Sequence, residues 1–280
     1  MKIRSITVFD QLRLPLDQQQ ITTLGRTVNL AAETFTAAGY EVQTVRLATN
    51  LLSSLSEKDD PVRTVVELEA QCNAAGFEFI ALGPAGDNLP LVPEILQATG
   101  SVFATCRIVS PATKRINGQK IHQAARVIKS AAKIADGFGN LRFAALANVG
   151  PGIPFFPAAY WEEPAPAFAI ATQSADLAVE ATTTSADAAE AHSRLQHLVE
   201  THGQRLQSVA RIFAKQHQVP FLGTDFSLAP FPGDECSIGA ALEALTGRPL
   251  GEPGSLAAAA ILTDAVQQAD FHKAGFCGLM

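Results

Sequence analysis

The stretch VPFLGTDFSLAPFPGDECSIG, residues 219–239, decides the fold prediction because it reads as a strand, a loop and the start of a helix. Its apolar beginning, 219–223, suits a buried strand, and the prolines and glycine that follow predict a turn before a helix over 240–245. Asp225 and Ser227 come after this strand, at its carboxyl end. In α/β proteins this edge of the sheet is where ligands usually bind. The stretch therefore predicts an α/β fold with a ligand site beside Asp225.

The same order of strand and helix repeats along the rest of the chain. Further strands are predicted over 2–8, 41–47, 77–82, 102–109, 141–147 and 167–171. Helices are predicted over 22–38, 61–75, 91–98 and 187–217, with one more that Asn117 caps. Such alternation is typical of a mainly parallel sheet covered by helices, either open or closed into a barrel. No change of composition marks a linker, so we expect a single α/β domain over 1–280 with about eight strands.

The composition is that of a globular protein rather than a disordered one. Hydrophobic residues make up 47% of the 280 residues and charged residues 17%, with a formal net charge of −6. Because the balance is acidic and no basic stripe is present, we expect no nucleic-acid partner. No apolar run approaches the roughly 20 residues that cross a bilayer, and Arg4 and Asp10 interrupt any signal peptide. We therefore expect a cytoplasmic protein without a membrane partner.

Neither a metal site nor a nucleotide cofactor is predicted. The four cysteines include no C-x-x-C pair. His192, His197 and His202 are spaced by five residues, and because this spacing turns a helix by about 140°, they cannot share a face. Gly150 and Gly152 follow a predicted strand but lack the third glycine of a dinucleotide fingerprint. The identity of any cofactor stays open.

Asp225 is the main candidate for a catalytic residue. It directly follows an apolar strand, has no local helix to cap, and shares a side with Ser227 if the chain stays extended. A carboxylate in this position can act as a general acid or base, with Ser227 beside it as a second catalytic group. The alternative is an Asx-turn, in which the side chain only bonds its own backbone.

Two predicted helix starts provide candidate anion sites. Asp234 precedes the helix at 240–245 and can cap it, which is a structural role, while the backbone N–H groups near Ser237 can bind an anion. A second helix begins near Ser255 and offers the same groups. The expected ligand is therefore a small metabolite that carries a carboxylate or a phosphate.

Three further residues are predicted to bind the substrate. Arg107 lies near the carboxyl end of a strand and can meet an anion, although a surface arginine or an ion-paired arginine is the alternative. Asn148 lies at the carboxyl end of the next strand. Cys277 has a glycine on one side and lies two residues from another, and these glycines allow close approach of a ligand or of a further strand.

Six blocks of the sequence resemble one family of bacterial and archaeal proteins. In chain order they are IRSITVFD (3–10), GFEFIALGPA (76–85), NVGPGIPFFPAAYWE (148–162), GTDFSLAPFPGDE (223–235), GSLAAAAILTDAV (254–266) and AGFCG (274–278). The family is the uncharacterised domain of unknown function 711, often labelled "PFL family protein". The resemblance covers almost the whole chain, and DFSLAP is its most specific part.

This resemblance implies a fold related to the pyruvate formate-lyase-like glycyl radical enzymes, an α/β barrel of about ten strands with helices packed outside. It does not imply radical chemistry, because no Arg-Val pair precedes Gly278 and no aromatic residue follows it. Relatives carry acidic residues beside the position of Asn148, and NVGPGIP lacks them, so no metal or acid role is transferred. Relatives also continue further, and strands that close the barrel can be missing from a chain that ends at Met280.

We expect an enzyme of unassigned reaction that acts on a small anionic metabolite at the carboxyl ends of the strands. Asp225 would be the general acid or base, and Ser227 and Asn148 would form hydrogen bonds to the substrate. Arg107 and the helix start at 234–237 would hold the anion. A non-catalytic ligand-binding or regulatory protein on the same fold is the alternative, suggested by the missing radical motif. A structural subunit of a homo-oligomer is the third.

Overall fold

The computed structural model describes residues 1–55, 60–110 and 112–279, which form an α/β fold. The strands are β1 (Lys2–Phe9), β2 (Val45–Ala48), β3 (Phe79–Pro84), β4 (Val102–Arg107), β5 (Phe143–Leu146), β6 (Ala167–Gln173) and β7 (Phe221–Asp225). The α-helices are α1 (Gln18–Ala37), α2 (Pro61–Ala74), α3 (Val92–Ala98), α4 (Gly118–Ala131), α5 (Ala175–Thr183), α6 (Ala188–His217), α7 (Ile238–Thr246) and α8 (Ser255–Gln268). Short 3-10 helices lie over Leu51–Ser54, Gly86–Leu91, Ala135–Arg142 and Asp234–Cys236.

The seven strands belong to one sheet in the order β5-β4-β3-β2-β1-β6-β7. Because β5 and β7 stand at its two ends, the sheet is open within the described residues. The predicted barrel of about ten strands is therefore wrong. Periodicity along the chain reports which segments are strands and helices, and this local pattern is the same for open and closed sheets.

The chain divides into two compact units. The central unit comprises Thr7–Ala32 and Thr44–Phe168, and the terminal unit comprises Met1–Ile6, Glu33–Gln43 and Ala169–Met280. The central unit holds β2 to β5 and α2 to α4, and the terminal unit holds β7 and α5 to α8. This division into compact units does not test the single domain expected from the sequence, which remains a prediction.

The strands of the central unit pair in parallel, β2 with β3, β3 with β4 and β4 with β5. At the last rung between β4 and β5, Arg107 stands opposite Leu146. Helix α3 contacts β4, and α4 contacts both β4 and β5. Since β4 and β5 end side by side, the two loops that follow them begin at the same edge of the sheet.

The loop between β5 and β6, residues 147–166, packs against the strands of the central unit through aromatic side chains. The Phe156 ring lies edge-on to Phe103 of β4 with 5.2 Å between centroids. The Trp161 ring lies 5.3 Å from that of Phe9 at the end of β1. Thr7 Oγ1 also donates a hydrogen bond of 3.3 Å to the Pro154 carbonyl. These contacts fix a long loop that has no helix of its own.

The terminal unit is built on α6. The Asp187 side chain accepts a hydrogen bond of 2.9 Å from the Glu190 N–H and so caps this helix. Buried apolar residues recur along one face, at Ala191, Leu195, Val199, Leu206, Ala210 and Phe213. Gly203 lies on the same helix, where a Cβ atom would meet the Phe271 ring at 2.6 Å. The small residue therefore allows the segment around Phe271 to pack directly on α6.

The predicted starts of two helices are confirmed. Helix α2 begins at Pro61 as expected and ends one residue before the predicted end. Asn117 caps α4 by accepting a hydrogen bond of 3.1 Å from the Lys120 N–H. Cys72 is buried on α2. Of the helices in the described ranges, none combines the length and the apolar character that crossing a membrane requires.

Candidate functional site

A cavity of about 420 Å³ opens at the carboxyl ends of β4 and β5 in the central unit. Its polar lining consists of Arg107, Ser110, Lys114, Asn148, Tyr160 and Glu162. Arg107 is the last residue of β4, and Asn148 follows β5 by two residues. The parallel register of these strands brings to one cavity two residues that the sequence predicted to bind substrate. Their binding roles remain predictions.

Arg107 is held in place by two neighbours. Its guanidinium lies over the Tyr160 ring, 4.9 Å from the centroid, and its Nη2 atom donates a close hydrogen bond to Glu162 Oε1. The Tyr160 hydroxyl in turn donates a hydrogen bond of 2.8 Å to the Val149 carbonyl. Burial raises the pKa of Tyr160, and the charge of Arg107 opposes this shift. The ion pair foreseen as the alternative for Arg107 is thus present, and it lies at the cavity.

The segment after β4 turns back on itself and places Ser110 and Lys114 on the cavity wall. Ser110 N–H donates to the Arg115 carbonyl at 2.9 Å, and Lys114 N–H donates to the Ser110 carbonyl at 2.8 Å. Lys114 adopts a left-handed conformation with φ of 55°. These backbone hydrogen bonds hold Ser110 and Lys114 close to the end of β4.

A second cavity of about 320 Å³ shares Arg107 and Ser110 with the first. It also contains Lys120, whose Nζ donates to the Gly86 carbonyl at 2.6 Å and to Asp87 Oδ1 at 3.2 Å. The Lys120 charge is therefore already engaged with the protein. Burial raises the pKa of Cys106 in this cavity, and Lys120 opposes the shift.

Asp225 lies in the terminal unit, where its side chain is fully buried and surrounded by hydrogen-bond donors. Oδ1 accepts from the Ser227 N–H at 3.1 Å, the Ser227 hydroxyl at 2.6 Å and the Cys277 N–H at 3.0 Å. Oδ2 accepts from the Phe276 N–H at 2.9 Å. Burial raises the pKa of Asp225, while these bonds oppose the shift. The bond from the Ser227 N–H forms the Asx-turn that was the alternative to a catalytic role for Asp225, and Cys277 joins the cluster from the C-terminal segment.

Cys277 is a buried thiol rather than an exposed one. Its Sγ accepts a hydrogen bond of 3.4 Å from the Phe226 N–H and lies 3.5 Å from the Thr224 carbonyl. Burial raises the pKa of Cys277 to about 12, so the thiol is protonated at neutral pH. Gly275 completes the segment, because a Cβ atom there would lie 2.0 Å from Asp225 Oδ2. The glycine allows the chain to wrap around the carboxylate.

At the starts of α7 and α8, polar groups form hydrogen bonds with neighbouring residues of the same segment. Ser237, not Asp234, caps α7 by accepting a hydrogen bond of 3.2 Å from the Ala240 N–H. Cys236 N–H donates to the Gly233 carbonyl at 3.0 Å, and Ser237 N–H donates to the Asp234 carbonyl at 3.2 Å. At the start of α8, the Ser255 hydroxyl accepts from the Gly251 N–H and donates to the Glu252 carbonyl, both at 2.9 Å. Substrate binding by Asp234, Ser237 and Ser255 remains a prediction.

The predicted residues thus fall into two groups. Asp225, Ser227 and Cys277 form one hydrogen-bonded cluster in the terminal unit, and Arg107 and Asn148 line one cavity in the central unit. In the ranges that the structure describes, no cluster of three or more His, Cys, Asp or Glu residues suits a metal ion.

Four polar residues of the cavity lining were not predicted from the sequence: Ser110, Lys114, Tyr160 and Glu162. The rule that singled out Asp225, a polar residue after an apolar strand, also applies to Ser110 and Lys114 after β4. Tyr160 and Glu162 lie in the block NVGPGIPFFPAAYWE, where these two residues were used only for the family resemblance.

The family model described as "Uncharacterised ACR (DUF711)" matches residues 1–280. A UPF0210 protein of Pyrobaculum islandicum is 28% identical over 248 residues, covering 82% of this chain and 54% of that protein. A UPF0210 protein of Pyrobaculum arsenaticum is 28% identical over 257 residues, covering 86% of this chain and 56% of that protein. A UPF0210 protein of Halothermothrix orenii is 26% identical over 280 residues, covering 91% of this chain and 61% of that protein. The chain spans about half the length of the curated relatives it matches.

Proposed function

Because the chain belongs to the uncharacterised family DUF711, whose description assigns no reaction, we propose a function from the cavity itself: the protein binds a small anionic metabolite there. The observation that carries this proposal is the placement of Arg107 on the wall of a cavity that also holds Asn148 and Lys114. A guanidinium is a strong partner for a carboxylate or phosphate, because it is planar, always charged and rich in donors.

The charge of the lining supports an anionic ligand. Arg107 and Lys114 are cations, Glu162 is the one carboxylate among the charged lining residues, and one positive charge is left in excess. Asn148 and Ser110 add uncharged groups that can orient a ligand by hydrogen bonds. A volume of about 420 Å³ lies within the range of small-molecule sites, about 300–1,000 Å³.

The proposal is one of binding rather than of a reaction. Asp225 and Ser227 are buried and bonded to each other, and the Asp225 carboxylate accepts hydrogen bonds on both of its oxygens. A general acid or base has to reach its substrate, so this arrangement favours an anchoring role. The catalytic roles of both residues stay predictions. A cytoplasmic metabolite is the expected ligand, and binding to nucleic acid or to a membrane is not part of the proposal.

The test is thermal unfolding of the full chain in the presence of a panel of small carboxylates and phosphates. A ligand at 100 times its Kd should stabilise the fold by about 2.7 kcal/mol. Arg107→Gln should weaken binding at least tenfold, or about 1.4 kcal/mol, because a charge-assisted bond is lost. Arg63→Gln is the matched control, since Arg63 forms an exposed ion pair with Glu67 away from the cavity lining.

Two results would contradict the proposal. One is a panel in which no anion raises the unfolding temperature of the unaltered protein. The other is an Arg107→Gln protein that binds the selected anion as tightly as the Arg63→Gln control.

A further inference from the structure

Resting on that proposed function, we infer the class of ligand: a small zwitterion that carries two acidic groups and one protonated amine, with the amine held by Glu162. The inference comes from the charges on the cavity wall. Two cations, Arg107 and Lys114, can each face one acidic group, and the carboxylate of Glu162 can face the amine. An amino-dicarboxylic acid has this set of charges and a net charge of −1 at neutral pH.

Glu162 is the residue that separates this class from simple anions. It lines the same cavity as Arg107, and its Oε1 atom accepts a hydrogen bond from Arg107 Nη2. In the described residues, Glu162 Oε2 accepts no hydrogen bond. The side chain is 43% exposed, against 26% for Arg107, so the carboxylate borders both the guanidinium and the open cavity. A simple anion that approaches Arg107 therefore meets a like charge beside it.

Arg107 and Glu162 each have a contact that is independent of their ion pair. Arg107 lies against the Tyr160 ring, 4.9 Å from its centroid. The backbone of Glu162 is held at its carbonyl, which accepts a hydrogen bond of 2.6 Å from Gln11 Nε2. An acidic group of the ligand can bind other N–H donors of the Arg107 guanidinium while the ligand amine binds Oε2 of Glu162. This is possible because a guanidinium has five donors and a carboxylate has two acceptor oxygens.

The balance of charges decides against a simple dicarboxylate. Two acidic groups placed near Arg107 and Lys114 would lie beside the Glu162 carboxylate and compete with it for the Arg107 charge, and a carboxylate that faces like charges lowers affinity. An ammonium group at Glu162 replaces this repulsion by a charge-assisted hydrogen bond.

The experiment compares three probes by titration calorimetry: L-glutamate, glutarate, which lacks the amine, and L-glutamine, which lacks the second acid. The unaltered protein should bind L-glutamate about tenfold more tightly than either of the other two, because each of them loses one charge-assisted contact. In Glu162→Gln this preference over glutarate should disappear, since L-glutamate loses a partner and glutarate loses a repulsion. Glu163→Gln is the matched control, because Glu163 is an exposed neighbour outside the cavity lining.

The outcomes separate the two proposals. If glutarate or another simple anion binds and L-glutamate binds no tighter, or if Glu162→Gln keeps the preference, the ligand class is wrong while anion binding stands. If neither these probes nor any anion of the wider panel binds, the proposed function fails and the ligand class fails with it. Loss of the preference in Glu162→Gln but not in Glu163→Gln supports the inference, with equal unfolding midpoints as the check on folding.

Discussion

The Ser227 hydroxyl donates a hydrogen bond of 2.6 Å to Asp225 Oδ1, and both residues are fully buried. The same carboxylate receives the backbone N–H groups of Phe276 and Cys277, which lie about fifty residues further along the chain. Asp225 therefore joins the end of β7 to the C-terminal segment. Burying a carboxylate is costly unless its oxygens are bonded, and here both oxygens are.

We expect Asp225→Asn to lower the free energy of unfolding by about 3 kcal/mol, because the amide nitrogen cannot accept a hydrogen bond and would face a buried donor. Urea unfolding followed by circular dichroism measures this change. The control is Asp234→Asn, an equal change of charge at an exposed residue of the same unit. Equal midpoints for the two variants would show that the cluster does not anchor the segment.

Gly275 should tolerate no side chain. Its φ of 70° favours glycine, and a Cβ atom would lie 2.0 Å from Asp225 Oδ2. We expect Gly275→Ala to destabilise the fold by about 2 kcal/mol more than Gly247→Ala, because overpacking adds to the cost of the left-handed backbone. Gly247 is the matched control, with φ of 65° and no atom within 4 Å of an added Cβ. Thermal and urea unfolding would contradict the expectation if both variants lost the same stability.

The stability of the protein should depend on pH through His202. Burial lowers the pKa of His202 below 6.5, with the Met1 ammonium adding to this shift and Asp176 opposing it. As the pH falls below 6.5, the unfolded chain therefore takes up the proton first, and stability is lost until the folded-state pKa is passed. Between pH 7.5 and 5.5, His202→Gln should lose less stability than the unaltered protein.

The control for this pH effect is His197→Gln, since His197 lies exposed on the same helix. Unfolding midpoints at both pH values give the comparison. If the loss of stability between the two pH values is the same in both variants, His202 does not contribute to it.

Much of the secondary structure could be predicted because its signals are local. Pro61 and Asn117 mark helix starts that the structure confirms. Helix α5 was missed, since threonines near its end are poor helix formers. In the structure their hydroxyls bond carbonyls one turn earlier, as Thr182 does to Ala178 at 2.9 Å. Packing then outweighs propensity, which a local pattern cannot report.

The candidate site could be predicted only in part. Arg107 and Asn148 could be predicted to lie close together, because each lies at or just after the end of a strand and parallel pairing brings such residues together. Glu162 reaches the cavity through the packing of a long loop, and the sequence near it does not specify where that loop lies. The capping role expected for Asp234 belongs to Ser237, three residues later, because a short 3-10 helix precedes α7.

The loop between β5 and β6 has a thermodynamic consequence for any ligand of the cavity. Phe156 and Trp161 are buried, and they hold the loop that carries Tyr160 and Glu162 against the strands. The chain loses its conformational entropy there when the protein folds, not when a ligand arrives. The cavity is therefore pre-organised, and affinity at its wall depends on charge and shape rather than on ordering the loop.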